Sequence, residues 1–256
     1  MIFGRKRKDA TPESPLSPDE PAFDDDLDDD DDLDEEVESA SGEDTDDEID
    51  DDESDDSEAE EKVDPWDEYD ASQDWREDGP FDYDEVELEG DDVPRIDLGS
   101  LIVTPEDGMQ LQIVADEATR QGLALVVALG ESAMQLEVRA APNSGGFARE
   151  LRDDIVAETS DAEGRSELAK GPFGTEVRRV VPATDPQGNQ GFAPMRDWFA
   201  EGPRWLLNGR LMGAAALDSE GEAAAPFEEF FRNLIVRRGD EPMAPGQIVP
   251  LVLPQG

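Results

Sequence analysis

The sequence predicts an α+β domain, with a mostly antiparallel sheet and two packed helices, behind a long disordered acidic N-terminal region. Charge divides the chain, because residues 1–92 hold 44 acids and 6 bases whereas residues 93–256 hold 25 acids and 15 bases. From residue 94 onward, short segments with apolar residues at every second position follow one another, as in half-buried strands. Two later segments space their apolar residues three and four apart, as amphipathic helices do.

The N-terminal region has three parts. A basic start occupies residues 5–8, an acidic run with 30 acids and no Lys or Arg occupies residues 9–61, and an acidic-aromatic segment occupies residues 62–92. The isolated apolar residues of the acidic run cannot bury enough surface to offset an ordering cost of about 1–2 kcal/mol per residue. We therefore expect residues 1–92 to be disordered and extended by charge repulsion, and the domain to occupy residues 93–256.

Aromatic side chains set the acidic-aromatic segment apart from the acidic run before it. They are Trp66, Tyr69, Trp75, Phe81 and Tyr83. Two interpretations are open. The segment is a short linear motif for a basic, grooved partner, or its rings lie on the protein's own domain or stay loose.

The first half of the domain is predicted to contain four strands, since each segment is apolar or alternating and is bounded by turn residues. The segments are residues 96–103 with a break near Gly99, 109–115, 122–130 and 133–140. A Gly-rich loop at 142–146 follows. Phe147, Leu151 and Ile155 then recur four residues apart, which predicts a helix that ends before Gly164.

The second half is predicted to contain three more strands, a helix and a Pro-punctuated tail. The strands lie at 175–181, 192–199 and 204–212, and the last two form a hairpin across 201–203. The helical spacing is clearest for Phe227, Phe230, Phe231, Leu234 and Ile235, and Gly239 ends this helix. Residues 248–253 are expected to dock as an edge strand, despite Pro250.

The composition excludes several classes of chemistry. The chain has no His and no Cys, which excludes disulfides, thiol nucleophiles, His-based triads and the usual zinc sites. The Gly-rich turns at 145–146 and 171–174 lack the Lys-Ser/Thr of a phosphate loop, and the acidic run at 24–32 lacks a calcium-loop pattern. We therefore expect no enzymatic activity, no catalytic residue, no cofactor and no metal site.

The excess of acidic residues also bears on partners. It makes nucleic-acid binding unfavourable, because phosphates would be repelled. The longest apolar run, at 123–129, is far shorter than the roughly 20 residues of a membrane-spanning helix. We expect a cytoplasmic protein whose partner is a protein, with a basic surface as the match for the acidic run.

Three arginines and two tryptophans on neighbouring predicted strands form the candidate binding group. They are Arg178, Arg196, Arg204, Trp198 and Trp205. If the strands at 175–181 and 192–199 pair about the turn at 185–189, then Arg178 and Arg196 come close together.

Like charges that face each other on a sheet are unfavourable unless an anion or a carboxylate lies between them. An anion pocket beside the two tryptophans is one interpretation of the binding group. The other is that the nearby acids Glu176, Asp197 and Glu201 neutralise the arginines as ion pairs.

Short motifs in a fixed order carry a family resemblance. They are PRIDLGSL at 94–101, GPFGTE at 171–176, GPRW at 202–205 and RGDEPM at 238–243, with FGRKR at 3–7. Together they resemble an uncharacterised actinobacterial family, a domain of unknown function, over about residues 92–253. The resemblance implies a cytosolic bacterial protein and supplies no activity or catalytic residue. The Trp-bearing strand and closing helix are also similar to the PsbP α-β-α sandwich, a likeness of fold alone.

These observations predict a non-enzymatic protein-interaction module with an acidic disordered arm. The alternative is an anion-binding or small-ligand-binding domain that uses the Arg/Trp sheet face.

Overall fold

Two β-sheets and four α-helices make up the part of the chain that the structure describes. This computed structural model describes residues 64–88, 93–184, 187–217 and 222–252. Among these residues there is no helix long and apolar enough to cross a membrane. The predicted disorder of residues 1–63, and the centre of the predicted turn at 185–189, lie outside the described residues.

Runs of strands are separated by helices along the chain. In chain order they are α1 (Pro65–Asp70), β1 (Phe81–Asp82), a 3₁₀ turn (Tyr83–Glu85), β2 (Ile96–Asp97), β3 (Leu101–Val103), β4 (Gln110–Ala115), β5 (Gly122–Leu129), β6 (Ser132–Ala140), α2 (Phe147–Asp161), β7 (Arg165–Gly171), β8 (Gly174–Thr184), β9 (Gln190–Gly202), β10 (Trp205–Gly213), α3 (Ala214–Leu217), α4 (Ala225–Arg232) and β11 (Ile235–Val236).

The larger sheet is antiparallel throughout, in the order β4-β5-β6-β10-β9-β8-β7. Strands that follow one another in the chain are neighbours in this sheet, except that β6 pairs with β10 and not with β7. The chain leaves the sheet after β6 to form α2 before β7 begins. The smaller sheet has the order β1-β11-β3-β2 and is antiparallel except for the parallel pair of β1 with β11. The predicted α+β class with a mostly antiparallel sheet is confirmed; the PsbP likeness stays a prediction.

Each face of the larger sheet packs against different partners. On one face, α2 places Leu151 and Ile155 against Val177, Phe199 and Leu206 of the sheet. On the other face, the main core contains α4 and the two buried tryptophans of β9 and β10. Strand alternation produces this division, since successive side chains point to opposite faces.

The folded unit begins earlier than the sequence predicts. Residues 64–88 form α1, β1 and a 3₁₀ turn, and Phe81 of β1 pairs with Ile235 near the other end of the chain. The predicted boundary at residue 93, with disorder over 62–92, is therefore wrong for the described part of this segment. The physical reason is that partners distant in sequence neutralise its acids and cover its rings, which local composition does not reveal.

Three further differences concern the second half of the domain. β7 was not predicted, because its residues Ser166, Glu167, Ala169 and Lys170 show no apolar alternation on this edge strand. α4 ends at Arg232, and Ile235 lies in β11 instead of the predicted helix. The C-terminal tail docks through single bridges of Ile248 and Leu251, not as a continuous strand, as suits a segment interrupted by a Pro that lacks a donor.

Gly209 tests the packing between β10 and α4. A Cβ at this position would lie 2.7 Å from the Phe231 ring. We expect Gly209→Ala to lower the free energy of unfolding by about 1–3 kcal/mol, because the buried ring has to move. Urea denaturation measures the change. Gly191→Ala, with no atom within 4 Å of its new Cβ, is the matched control, and an equal effect of the two substitutions would contradict the packing argument.

Candidate functional site

A cavity of about 500 Å³ lies between the segment of residues 64–76, called here the docked segment, and the start of α2. The docked segment supplies one wall, including Trp75. The opposite wall comes from the first turns of α2 and from residues of β8 and β9, and Phe173 and Phe199 contribute its apolar surface. One side of the cavity is therefore formed by a part of the chain that its composition predicted to be disordered.

Ion pairs fasten the docked segment to α2. Arg149 donates a hydrogen bond from Nη1 to Oδ2 of Asp67, and Arg152 donates from Nη1 to Oδ2 of Asp70, each at 2.5 Å. The Arg152 side chain is only 5% exposed whereas that of Arg149 is 51% exposed. The Arg152 pair matters more, since solvent screens exposed pairs and loss of one partner leaves a buried charge uncompensated.

Asp70 also binds the sheet. Its Oδ1 accepts a hydrogen bond from the backbone N–H of Thr175 at 2.7 Å, and its carbonyl accepts one from the Trp75 indole at 3.1 Å. Gly174 makes this approach possible: its φ is +94° and a Cβ there would lie 3.0 Å from Oδ1 of Asp70. One aspartate thus joins the docked segment to both α2 and β8.

The aromatic rings of the docked segment contact one another edge-to-face or at a tilt, and one of them contacts a cation of the domain. Tyr69 lies 4.8 Å from Trp75 and 6.4 Å from Trp66, measured between ring centroids. Lys170 Nζ lies 4.9 Å from the Tyr69 centroid, within the range of a cation–π contact. Burial raises the pKa of the Tyr69 hydroxyl, and the negative charges of Asp70 and Glu176 raise it further.

The N-terminus of α2 forms the floor of the cavity beside these contacts. Its N-cap is Gly146, which has no side chain to accept the first N–H groups. Glu201 of β9 supplies the acceptor instead, with its carboxylate 3.1 Å from the N of Phe147 and 3.4 Å from the N of Ala148. A carboxylate at this end of a helix also interacts favourably with the helix dipole, so Glu201 is occupied by a structural role.

Arg76, the last residue of the docked segment, joins it to the chain that follows. Both of its terminal nitrogens donate to the Glu85 carboxylate, at 2.6 and 2.7 Å, and its guanidinium lies 5.4 Å from the centroid of the Trp205 ring. The hydrogen bond from Arg76 holds the pKa of Glu85 below its ordinary value, and the same bond raises the pKa of Arg76. Nearby, the Trp205 indole donates to Asp82 at 2.6 Å.

All five aromatic residues of the predicted linear motif contact their own chain. Trp66, Tyr69 and Trp75 contact one another within the docked segment. Phe81 pairs with Ile235, and the Arg237 guanidinium lies 4.1 Å from the centroid of the Tyr83 ring. These residues thus have contacts within their own chain in the structure, and the linear motif stays a prediction.

The predicted Arg/Trp binding group is divided in the structure. Arg178 and Arg196 are register partners on β8 and β9. Between them, the buried carboxylate of Glu176 accepts hydrogen bonds from Arg178 at 2.6 Å, from Arg196 at 2.8 Å and from the Trp198 indole at 2.8 Å. An internal carboxylate therefore lies between the two arginines, where one of the two interpretations placed an external anion.

The other two members of the group lie at the opposite end of the hairpin. Arg204 occupies the β9–β10 turn with a φ of +60° and donates to the carbonyl of Gly239 at 3.1 Å. Trp205 is buried and directed to Asp82. Arg204 and Trp205 therefore do not share the Glu176 cluster, because the long hairpin separates its two ends, and the anion-binding interpretation stays a prediction.

A second buried carboxylate lies on the α2 face of the same strands. Asp197 accepts hydrogen bonds from Arg179 at 2.8 Å and from Arg210 at 3.0 Å. Its side chain is fully buried. Glu176 and Asp197 neutralise the arginines of the sheet, and both are among the acids that the sequence indicated as internal counterions.

The residues that build the cavity were missed from the sequence, although a signal for some of them was present. Asp64, Asp67 and Asp70 are spaced three apart, and Arg149 and Arg152 have the same spacing at the start of a predicted helix. Two helices with complementary charges at i, i+3 can pair along one face. Thr175 had no signal, since only the tertiary structure brings its backbone N–H to Asp70 beside this cavity.

Comparison with known proteins identifies one relationship. A family model described as "Protein of unknown function (DUF3710)" matches residues 79–256. A search of curated proteins finds no significant match. Across the described ranges, no three Asp or Glu side chains are grouped so that they could hold a metal ion. The match confirms the resemblance to a family of unknown function that the motifs indicated.

Glu176 tests the buried ion cluster. We expect Glu176→Gln to lower the free energy of unfolding by about 3–5 kcal/mol, because two arginines then lose their shared buried counterion. Chemical denaturation measures the change. Glu158→Gln removes an exposed carboxylate on α2 and should change stability by less than about 0.5 kcal/mol. A small effect of Glu176→Gln would mean that the cluster adds little stability.

The pH dependence of stability tests the ion pair between Glu85 and Arg76, which holds the end of the docked segment. A carboxyl whose pKa is depressed on folding contributes stability that is present at neutral pH and lost as the pH falls through the folded-state pKa. We therefore expect Glu85→Gln to reduce the loss of stability between neutral and acidic pH, measured by urea denaturation along a pH series. Glu77→Gln, which removes an exposed carboxylate just after the docked segment, is the control. Identical pH profiles for Glu85→Gln and the unsubstituted protein would contradict the role of the Arg76–Glu85 pair.

Proposed function

We propose that this chain, which belongs to the DUF3710 family of proteins of unknown function, is a non-enzymatic protein-interaction module whose folded domain binds acidic segments that carry aromatic residues. One observation carries the proposal. The docked segment already lies on this domain with Asp67 and Asp70 paired to Arg149 and Arg152. Its composition and contacts are those of a peptide bound in a groove.

Three cations define what we call the cationic groove: Arg149, Arg152 and Lys170. Each contacts a different residue of the docked segment, through two ion pairs and one cation–π contact. Charge-assisted hydrogen bonds from arginine are among the stronger polar contacts, and their planar geometry adds specificity. A second peptide with carboxylates three residues apart and a ring between them would satisfy the same groups.

The family match includes the residues of the cationic groove but not the docked segment, which supports treating the two as separate parts. The match begins at residue 79, so Arg149, Arg152 and Lys170 lie inside it. The docked segment at 64–76 lies before it. The groove thus belongs to the family domain, and its occupant belongs to the sequence that precedes this domain.

The chemistry of the cavity supports a binding role over a catalytic one. The chain has no His or Cys for proton transfer or nucleophilic attack. Four carboxylates line the cavity: Asp67 and Asp70 are paired with arginines, Glu201 caps α2, and Asp74 accepts from the backbone N–H of Arg76. Acids held in this way by structural contacts are poorly suited to exchange protons with a substrate.

A second candidate uses the acidic run itself. Its 30 acids without a base over residues 9–61 would attract a partner with a basic surface through long-range electrostatics. The earlier alternative of an anion site on the Arg/Trp sheet face has less support, since Glu176 already neutralises Arg178 and Arg196.

A peptide in trans tests the cationic groove. A fluorescently labelled peptide of residues 62–78 is titrated into the shorter chain 79–256, whose folding is checked by circular dichroism. We expect saturable, salt-sensitive binding, and at least tenfold weaker binding to the full chain, because its own segment is held at high effective concentration. Asp67→Asn with Asp70→Asn in the full chain should restore binding, which keeps the test decisive if the shorter chain does not fold.

Charge reversal supplies the matched control. Arg152→Glu should weaken peptide binding at least tenfold, whereas Arg165→Glu, an exposed arginine on β7, should leave it within about twofold. No binding to either the folded shorter chain or the Asp67→Asn, Asp70→Asn chain would overturn the proposal, as would equal effects of the two arginine substitutions. Deleting residues 9–61 separates the two candidates, because it removes the acidic run and leaves the groove intact.

A further inference from the structure

The distal end of the hairpin formed by β8 and β9 extends beyond the strands that flank it. β7 pairs with β8 only as far as Val180, and β10 pairs with β9 only as far as Met195. Beyond these residues β8 and β9 still pair with each other. We call this two-stranded part the β8–β9 arm, and it comprises residues 181–184 and 190–194. Within the described residues, no third strand pairs with it.

One face of the β8–β9 arm is apolar and lies open to solvent. Four apolar side chains share it because they form two register pairs, which are Pro182 with Phe192 and, at the base of the arm, Val180 with Pro194. Phe192 is 73% exposed and Val180 is 39% exposed. Further along β9 the same face enters the main core, where Trp198 is 1% exposed. The arm thus extends the apolar face of the sheet past the part that packs in the core.

A proline in each strand of the arm limits how a partner can bind. Pro182 and Pro194 have no backbone N–H, so the free edges of the arm are poor templates for an added strand. The exposed Phe192 ring is instead the kind of side chain that anchors protein interfaces, where aromatic residues are enriched. We therefore expect contact through the side-chain face and not through extension of the sheet.

The β8–β9 arm carries no charge, although the chain as a whole is strongly acidic. Neither of its two stretches contains an Asp, Glu, Lys or Arg, whereas the net charge of the chain is −48. The first charged side chains on this face lie at its base, where Arg165 is the register partner of Val180 and Arg178 is paired with Glu176. A charged surface placed over the arm would lose hydration without gaining an ion pair there. An uncharged apolar surface is the better match, and the same face of a second copy has this chemistry.

The area of this face indicates how firmly two copies can hold each other. Burial of a phenylalanine removes about 150–250 Å² from solvent, and the other three side chains of the face are smaller. The face therefore supplies about half of the roughly 800 Å² per partner that a stable interface buries. In a dimer with two-fold symmetry the same patch serves both copies. Such an area suits a weak, reversible dimer and is too small for an obligate one.

We infer that the β8–β9 arm is the contact of a weak homodimer, in which its apolar face packs on the same face of a second copy about a two-fold axis. Phe192 of each copy then lies against the prolines of the other, and the acidic parts of both chains stay outside the contact. The dimer carries two cationic grooves, so a partner with two acidic segments would bind with avidity. This consequence rests on the proposed function, whereas the contact itself is independent of it.

Sedimentation equilibrium of the full-length protein tests the dimer over concentrations from about 10 µM to about 1 mM. We expect a Kd of about 100 µM, as suits a small apolar interface. Phe192→Asp should weaken association by about tenfold or more, because it places a charge on each side of the contact. Val114→Asp is the matched control, since Val114 is 42% exposed on β4, at the edge of the sheet away from the arm. It should leave the Kd within about twofold.

The response to salt separates this contact from the cationic groove. Raising NaCl from about 50 mM to about 500 mM should tighten the dimer by about threefold or more, since salt screens the repulsion between two acidic chains. The labelled peptide should instead bind the groove more weakly, because its ion pairs are screened. Arg152→Glu, which disrupts the groove, should leave the Kd of the dimer within about twofold.

Several results would overturn the inference. They are a monomer at every concentration, equal effects of Phe192→Asp and Val114→Asp, and association that salt weakens. Loss of the dimer in Arg152→Glu but not in Phe192→Asp would mean that copies exchange docked segments instead. A marked fall in the melting temperature of Phe192→Asp would also overturn it, because the ring would then pack within its own chain. Failure of the labelled peptide to bind chain 79–256 leaves the dimer standing, and a monomer at every concentration leaves the groove proposal standing.

Discussion

The buried ion pairs between β8 and β9 are the constraint on which the rest of the fold depends. On one face Glu176 of β8 pairs with Arg196 of β9, and on the other Asp197 of β9 pairs with Arg179 of β8. Acid and base thus occupy opposite strands on opposite faces. A register shift of one residue would exchange the faces, and a shift of two would leave buried charges facing apolar neighbours, so the pairing specifies a single register. β10 pairs with β9 in turn, and α2 and α4 pack on the two faces of the sheet that results.

The docked segment uses the same type of contact at the surface of this framework. Asp70 joins a buried arginine of α2 and a backbone N–H of β8, much as Glu176 joins arginines and an indole in the interior. The chain is very acidic and its domain has few bases. Its carboxylates therefore lie beside the guanidinium groups that this domain does have. Because Arg152 and Arg196 are both nearly enclosed, these pairs select one arrangement more than they add to overall stability.

Most of the sheet could be predicted from the sequence because its strands alternate clearly. Strands such as β6, where Met134, Leu136 and Val138 face the core, have the period-2 pattern that half-buried strands require. β7 has no such pattern, and Ile235 continues a helical spacing although it pairs in a strand. The candidate site was harder to predict, because its walls come from residues about 80 to 105 positions apart, as with Arg152 and Thr175 against Asp70. Composition describes residues 62–92 as a solvated acidic stretch, and contacts with residues distant in sequence, such as Arg152 and Ile235, give part of that stretch its structure.

The parallel pairing of β1 with β11 has a consequence for the order in which the protein matures at the ribosome. Phe81 is synthesised long before its partner Ile235, and Asp82 long before Trp205, to which it is hydrogen-bonded. During translation this segment therefore leaves the exit tunnel without a binding surface, and its strand has no template until Ile235 has been made. The first part of the folded unit to appear is thus among the last to be completed, and the charge of the nascent chain keeps this waiting segment solvated until then.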